Sequence, residues 1–134
     1  MVRFYCPRCW RDFGEDLRQC PFCGLDIHAL LRSKDMVERL IIALDHPEPS
    51  TPVRAAWLLG RLGDPRAVGP LIDLIGRTSD IYIARAAVAA LGEFDTPEAK
   101  EALRALLDHA ADVLREDARE AMASRSGTKD RNLR

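Results

Sequence analysis

The chain has 134 residues, a formal net charge of −1 at pH 7 and 47% hydrophobic residues. This length suits one folded domain with a small appendage, and the apolar content argues against a chain that is disordered throughout. The balanced charge argues against a general nucleic-acid binder, which needs an excess of basic residues. Because no stretch reaches the roughly 20 apolar residues of a membrane span and the N-terminus lacks the apolar core of a signal peptide, we expect a cytoplasmic protein.

The four cysteines form two Cys-x-x-Cys pairs near the N-terminus. Cys6 and Cys9 are followed, after ten intervening residues, by Cys20 and Cys23. In a reducing compartment such clusters more often bind a metal or react than form disulfides. Two pairs across a short loop can place four thiolates around one tetrahedral ion, so the spacing predicts a metal centre.

A closed four-thiolate site favours structural zinc, with iron as the alternative ion. A redox pair needs a βαβ scaffold that the sequence lacks, and a catalytic zinc needs an open position for water. His28, five residues after Cys23, is expected to be a surface or capping residue rather than a ligand. Because so short a segment buries little apolar surface, it should unfold when the metal is removed.

The same segment resembles the short zinc-ribbon family, whose pattern is an aromatic residue, C-P-x-C-G, a dozen residues and a second C-P-x-C-G. Here it reads YCPRCW and CPFCG, and the resemblance covers about the first 27 residues. It implies a small ribbon, assigned to residues 1–30, with a structural zinc on all four cysteines. Trp10 replaces the first glycine of the pattern, so that turn has to close without the positive φ that Gly24 adopts easily.

Helical periodicity begins at about Ser33 and then recurs. Apolar segments start at Leu40, Leu71 and Leu103, with offsets of 31 and 32 residues. A repeat of this length made of two helices is typical of a helical solenoid. The predicted helix pairs are 33–45 with 52–62, 65–76 with 81–93, and 97–109 with 113–124.

Local signals agree with these helices. Asp64-Pro65 and Thr96-Pro97 each place a capping side chain before a proline at the first helical position. His46, Arg77 and His109 fall near the end of the first helix of each pair. A cation at that place can bind free carbonyls, which is the structural role we expect for both histidines.

Residues 53–75 closely resemble the HEAT-like repeats first recognised in phycobilisome lyase subunits, whose motif is A-A-x-x-L-G-x-L-G-D-P-R-A-V-x-P-L. The chain reads A-A-W-L-L-G-R-L-G-D-P-R-A-V-G-P-L over the corresponding stretch. The resemblance covers about residues 33–123 and weakens at both ends. It implies a mainly α protein in which the ribbon precedes a short α-solenoid of about three helix pairs, residues 31–124. The polar segment 125–134 is predicted to be a disordered tail.

Three arginines, Arg54, Arg85 and Arg115, recur near the start of the second helix of each pair. In HEAT proteins a similar arginine pairs with an acidic residue of the preceding turn and forms a ladder along the solenoid. These arginines and Trp57 are also the candidate partner-binding residues, since tryptophan is enriched at binding hot spots. The acidic residues placed for the ladder are Asp45 or Glu48, Asp80 and Asp112.

The sequence contains no catalytic constellation, neither a nucleophile elbow nor a phosphate loop nor a His-Glu-x-x-His motif, so we expect no enzyme activity. It predicts a protein–protein interaction adaptor or scaffold, with the ribbon covering the first repeat. The alternative is a nucleic-acid-binding protein that uses the ribbon and the arginines of the solenoid. A lyase or chaperone role follows only from the family in which these repeats were named.

Overall fold

The structure is a computed structural model that describes residues 2–132, with side chains as far as Ala123. Two short β-strands precede a stack of α-helices, which confirms the predicted mainly α class with a short solenoid. The predicted disordered tail, 125–134, lies outside the described side chains and stays a prediction. The elements are β1 Phe4–Tyr5, β2 Asp12–Phe13, α1 Ile27–Ser33, α2 Met36–Ala43, α3 Ser50–Leu62, α4 Val68–Arg77, α5 Ile81–Leu91, α6 Pro97–Leu106 and α7 Asp112–Asn132, with a short 3-10 turn at Pro65–Ala67 before α4.

The N-terminal ribbon is a small unit with its own core. Strands β1 and β2 pair antiparallel, with Phe4 opposite Phe13. The buried residues are Cys6, Cys20 and Ile27, and Leu31 packs against them. Helix α1 therefore contributes to the ribbon core through Ile27 and Leu31, although the sequence indicated no helix at that place.

The three predicted helix pairs are present as α2–α3, α4–α5 and α6–α7. Helix α3 packs on α5 and α5 on α7, forming one layer, while α4 packs on α6 in the other. One continuous core lies between the layers, and its largest fully buried side chains are leucines: Leu44, Leu59, Leu71, Leu91 and Leu103. One helix was predicted over 33–45, but the structure has a helix end with its C-cap at Lys34. Helix α2 then begins with a capping box made by Asp35 and Glu38. No helix among the described residues is long and apolar enough to cross a membrane.

The predicted caps are confirmed, but the histidines act differently. The Asp64 carboxylate accepts from the Arg66 N–H and the Thr96 hydroxyl from the Ala99 N–H, at 3.0 and 3.2 Å. His46 Nδ1 accepts from the Glu48 N–H at 3.0 Å, and His109 Nδ1 accepts from the Ala111 N–H at the same distance. The expected cationic contact with free carbonyls is therefore wrong, because an accepting Nδ1 carries no proton.

An arginine ladder runs between the repeats; it includes the predicted Arg85 and Asp45, but its pairings differ from those predicted. Its three ion pairs each join residues one repeat apart, and their N–O distances are 2.5–2.8 Å. Such exposed pairs fix the register of the repeats more than they stabilise them. The pairs are Arg66–Asp35, Arg77–Asp45 and Arg85–Asp117.

Two predicted ladder contacts are absent because their members have other partners. Asp80 caps α5 by accepting from the Tyr82 N–H at 2.8 Å, so it does not serve Arg85. Arg115 does pair with Asp112, as predicted, and donates to the His109 carbonyl at 2.6 Å. Arg54 forms no ion pair with the side chains that the structure describes.

Glycines bring the helices of the α3–α5–α7 layer close together. A Cβ on Gly60 would lie 3.1 Å from Ala90 Cα, and a Cβ on Gly92 would lie 2.9 Å from Ala121 Cβ. Both distances are shorter than an ordinary carbon–carbon contact. The layer can therefore stack closely only where these positions lack a side chain.

Gly92→Ala is expected to lower the free energy of unfolding by about 1–3 kcal/mol, because the added methyl group overpacks the contact with α7. Gly76→Ala is the matched control, since no atom lies within 4 Å of its Cβ position on α4. This control should stabilise the chain by up to about 1 kcal/mol through helix propensity. Urea unfolding of both variants measures the difference, and a Gly92→Ala variant as stable as wild type would contradict the close packing.

Candidate functional site

Two knuckles with the same backbone pattern carry the four cysteines. In the first, the Cys6 N–H donates to the Arg11 carbonyl at 3.0 Å, and in the second the Cys20 N–H donates to the Leu25 carbonyl at 2.9 Å. The fifth residue of each knuckle returns a hydrogen bond to the carbonyl of the first cysteine, at 2.8 and 3.0 Å. The two Cys-Pro-x-Cys segments thus fold into equivalent turns with their sulfurs facing each other.

The fifth residue of each knuckle is left-handed, with φ of 60° at Trp10 and 80° at Gly24. Glycine adopts this conformation freely, whereas any other residue loses about 1–2 kcal/mol. The first turn therefore closes without glycine by placing tryptophan in a strained conformation. A contact elsewhere has to offset that cost, and Trp10 makes one with His46, at 5.3 Å between ring centroids.

The four sulfur atoms form a compact cluster. Cys6 Sγ lies 3.5 Å from Cys23 Sγ and Cys9 Sγ lies 3.7 Å from Cys20 Sγ, so each near pair joins the two knuckles. All four atoms lie within 4.8 Å of one another. A tetrahedral ion with metal–sulfur bonds of about 2.3 Å requires sulfurs about 3.8 Å apart. The donor set fits such an ion, and these four cysteines could bind a metal.

The surroundings shift the pKa values of Cys20 and Cys23 in opposite directions. For Cys20, burial opposes the thiolate, but the N–H groups of Cys23 and Phe22 donate to its sulfur at 3.4 Å and lower its pKa to about 6. For Cys23, the Leu25 N–H favours the thiolate, but burial and the other three sulfurs outweigh it and raise the pKa to about 11. A bound ion has to displace the Cys23 proton, so metal binding releases protons.

His28 lies outside the metal cluster, as expected. Its Nε2 is 2.9 Å from a carboxylate oxygen of Asp16, in the loop between the knuckles. This contact leaves the imidazole with a carboxylate partner instead of a thiolate neighbour. The candidate ligand set is therefore the four cysteines alone among the side chains that the structure describes.

The ribbon contacts the first helix pair through aromatic rings. Tyr5 and Trp10 both meet His46 edge to face, with centroid distances of 4.4 and 5.3 Å. Burial at this contact lowers the pKa of His46, although nearby Glu48 acts in the opposite direction. In the predicted Leu40–Leu44 segment, Leu44 is buried and Leu40 and Ile41 pack against the solenoid core, so covering of this segment by the ribbon stays a prediction.

Two of the four candidate partner-binding residues bind groups within the chain, and the other two are exposed. Arg85 pairs with Asp117 at 2.8 Å, which raises the pKa of this arginine, and Arg115 binds carbonyls of its own turn. Trp57 is 62% exposed, and Arg54 is exposed on the same helix, α3. Partner contact by any of the four stays a prediction.

Sequence reasoning missed Arg61. Its guanidinium carbon lies 5.8 Å from the centre of the Trp57 ring. The signal was present, because Arg61 follows Trp57 by four residues and Arg54 by seven, the spacing of one helical face. Arg85 and Arg115 recur with Arg54 at the repeat spacing, whereas Arg61 has no counterpart in that series.

Comparison with known proteins covers the helical part of the chain. A family model described as HEAT repeats matches residues 37–123, which is more than half of the chain. The matched range begins in α2 and extends into α7. No curated protein matches the chain.

Cys6→Ser or Cys20→Ser, or treatment with a chelator, is expected to unfold the ribbon and leave the solenoid helical. The two cores are separate, so the far-ultraviolet circular dichroism should lose no more than the contribution of α1. His28→Ala is the control, since this residue is close in sequence but lies outside the cluster. Complete loss of helical signal would mean that ribbon and solenoid fold as one cooperative unit.

Trp10→Gly is expected to keep the metal centre and release the ribbon from the first repeat. Glycine relieves the left-handed strain, but the contact that buries His46 is lost, so the pKa of His46 should rise towards its ordinary value of about 6.5. Nuclear magnetic resonance titration of the imidazole measures this shift. Trp57→Ala, which removes an exposed tryptophan on α3, is the control. An unchanged His46 pKa in the Trp10→Gly variant would contradict the docking.

Proposed function

Because the chain belongs to the HEAT-repeat family, we propose that it is a non-catalytic adaptor whose solenoid binds a protein partner. HEAT repeats generally mediate protein interactions, and their stacked helices present an extended surface. The observation that carries the proposal is the exposed face of α3, where Trp57 is 62% exposed. A large aromatic residue in this position is typical of a binding hot spot.

The ribbon's part in this function is structural, with zinc as the ion we assign to it. The four sulfur atoms lie within 4.8 Å of one another, and on a tetrahedral ion they would leave no open position for water or substrate. Zinc satisfies such a site without redox chemistry, and iron is the alternative. Elemental analysis of purified protein distinguishes them, and iron would also colour the protein. Cytoplasmic location belongs to the same proposal, because free thiol clusters are typical of reducing compartments.

Nucleic-acid binding is the second candidate, and one observation favours it. Arg11 lies 5.0 Å from the ring centre of Phe22, which is 53% exposed on the ribbon, and Arg61 lies over Trp57 in a similar way. Arginine and aromatic pairs can stack on unpaired bases. The net charge of −1 disfavours this reading. A lyase or chaperone role is supported only by the repeat resemblance, and a chromophore-transfer assay tests it.

Affinity capture from an extract of the native cells, with and without nuclease, tests the adaptor proposal. Mass spectrometry should identify a protein partner that survives nuclease treatment, while resin without the protein serves as the control. Partners that disappear with nuclease would contradict the adaptor function and favour the second candidate. In that case, binding to nucleic acid should also weaken steeply as salt is raised.

A further inference from the structure

Five exposed residues form a continuous stripe on α3, here called the α3 stripe. The last four follow the first by three, four, seven and eight positions, so all five lie on one side of the helix over about two turns. The buried residues of the same helix, such as Ala56 and Leu59, lie on the opposite side and face the core. The α3 stripe therefore contributes little to the fold itself. Its members are Arg54, Trp57, Leu58, Arg61 and Leu62.

The apolar part of the stripe consists of three large exposed side chains. Trp57, Leu58 and Leu62 are 62%, 40% and 49% exposed. A contiguous exposed apolar surface often marks an interaction site. The next helix of the layer carries Ala86 and Ala89 on its accessible side, so the stacking of repeats does not require large residues there.

The charged part of the stripe is unpaired. Arg54 and Arg61 form no ion pair with the side chains that the structure describes, whereas the ladder arginines Arg66, Arg77 and Arg85 each have a carboxylate partner. Arg61 is held over the Trp57 ring, which limits its freedom before any partner arrives. Arg61 follows Arg54 by seven positions, which corresponds to a rise of about 10 Å along the helix.

We propose that the α3 stripe docks an acidic segment of the protein partner, with two carboxylates about 10 Å apart and apolar side chains between them. The carboxylates bind the guanidinium groups of Arg54 and Arg61, and the apolar side chains pack on Trp57. A helix with acidic residues seven positions apart has this spacing, and so does an extended chain with acidic residues three positions apart. The proposal rests on the adaptor function and specifies its partner.

Other occupants fit the stripe less well. A nucleic-acid backbone presents regularly spaced phosphates, but the stripe offers two cations and three apolar residues. A second copy of the chain would have to bring an acidic face, and on α7 the exposed Glu116 already lies 3.8 Å from Arg119. An acidic segment with apolar residues satisfies both the charge and the exposed aromatic surface.

The test uses the full chain with its metal and a labelled helical peptide in fluorescence anisotropy. The peptide is built on alanine and glutamine, with glutamate at its fourth and eleventh positions and leucine at its seventh and eighth. A second peptide carries lysine in place of both glutamates, and an extended version with glutamates three positions apart covers the other geometry. A single-stranded oligonucleotide is measured beside them.

We expect one of the glutamate peptides to bind at least about tenfold tighter than the lysine peptide, and Trp57→Ala to weaken that binding by about tenfold. Arg54→Glu combined with Arg61→Glu should reverse the preference in favour of lysine. Arg32→Glu, an exposed arginine on α1, is the control and should change nothing. Equal binding of the two charges, no binding of any peptide, or tighter binding of the oligonucleotide through the same arginines would each overturn the proposal.

The double variant also separates this proposal from the adaptor function. If the wild-type chain captures a nuclease-resistant protein and the Arg54→Glu, Arg61→Glu chain captures it equally, the adaptor function stands and the α3 stripe is not its site. If the double variant alone loses that protein, the stripe is supported as the docking surface. The adaptor function and the α3 stripe can therefore be rejected separately, the first by the capture assay and the second by the peptide assay.

Discussion

The ribbon depends on a connection between its two knuckles that its own apolar residues cannot provide. Its strands are two residues long, and its fully buried side chains are Cys6, Cys20 and Ile27, two of which are candidate ligands. A segment this small does not bury enough surface to fold alone. A tetrahedral ion on the four sulfurs would join both knuckles at their centre and would fix the positions of Tyr5 and Trp10.

The two knuckles differ where the first one meets the solenoid. Both need a left-handed fifth residue, and the second uses glycine, but the first uses Trp10 in spite of the backbone strain. The tryptophan ring packs beside Tyr5 on His46, at the turn that follows α2. The strained residue is therefore the one that contacts the first repeat, and an ion bound by the four cysteines would orient that contact. The ribbon leaves α3 uncovered, so the α3 stripe stays accessible to a partner.

Sequence predicted the features that depend on neighbouring residues. The cysteine spacing indicated the cluster, the caps at Asp64 and Thr96 are present, and the period of about 31 residues gave three helix pairs. The ladder prediction included Arg85 and Asp45 but gave them the wrong partners, because a contact such as Arg85–Asp117 spans 32 positions and depends on how the helices stack. Asp80 directly precedes the predicted helix 81–93, so the local sequence already indicated its capping role.

The site was predicted less completely than the fold, for a similar reason. The contacts of His46 with Tyr5 and Trp10 join residues about forty positions apart, and periodicity does not report them. The α3 stripe was recognised through Trp57 and Arg54, but Arg61 was missed because it has no counterpart in the series of repeated arginines. The proposed binding residues differ from the repeat pattern, whereas the helices of the fold follow it.

X-ray absorption spectroscopy of the full chain, purified with its native metal, tests the central claim most directly. A single ion that joins both knuckles predicts one metal per chain with four sulfur neighbours at about 2.3 Å and no lighter atom in the first shell. Oxygen or nitrogen in that shell, or a folded ribbon with much less than one metal per chain, would contradict it.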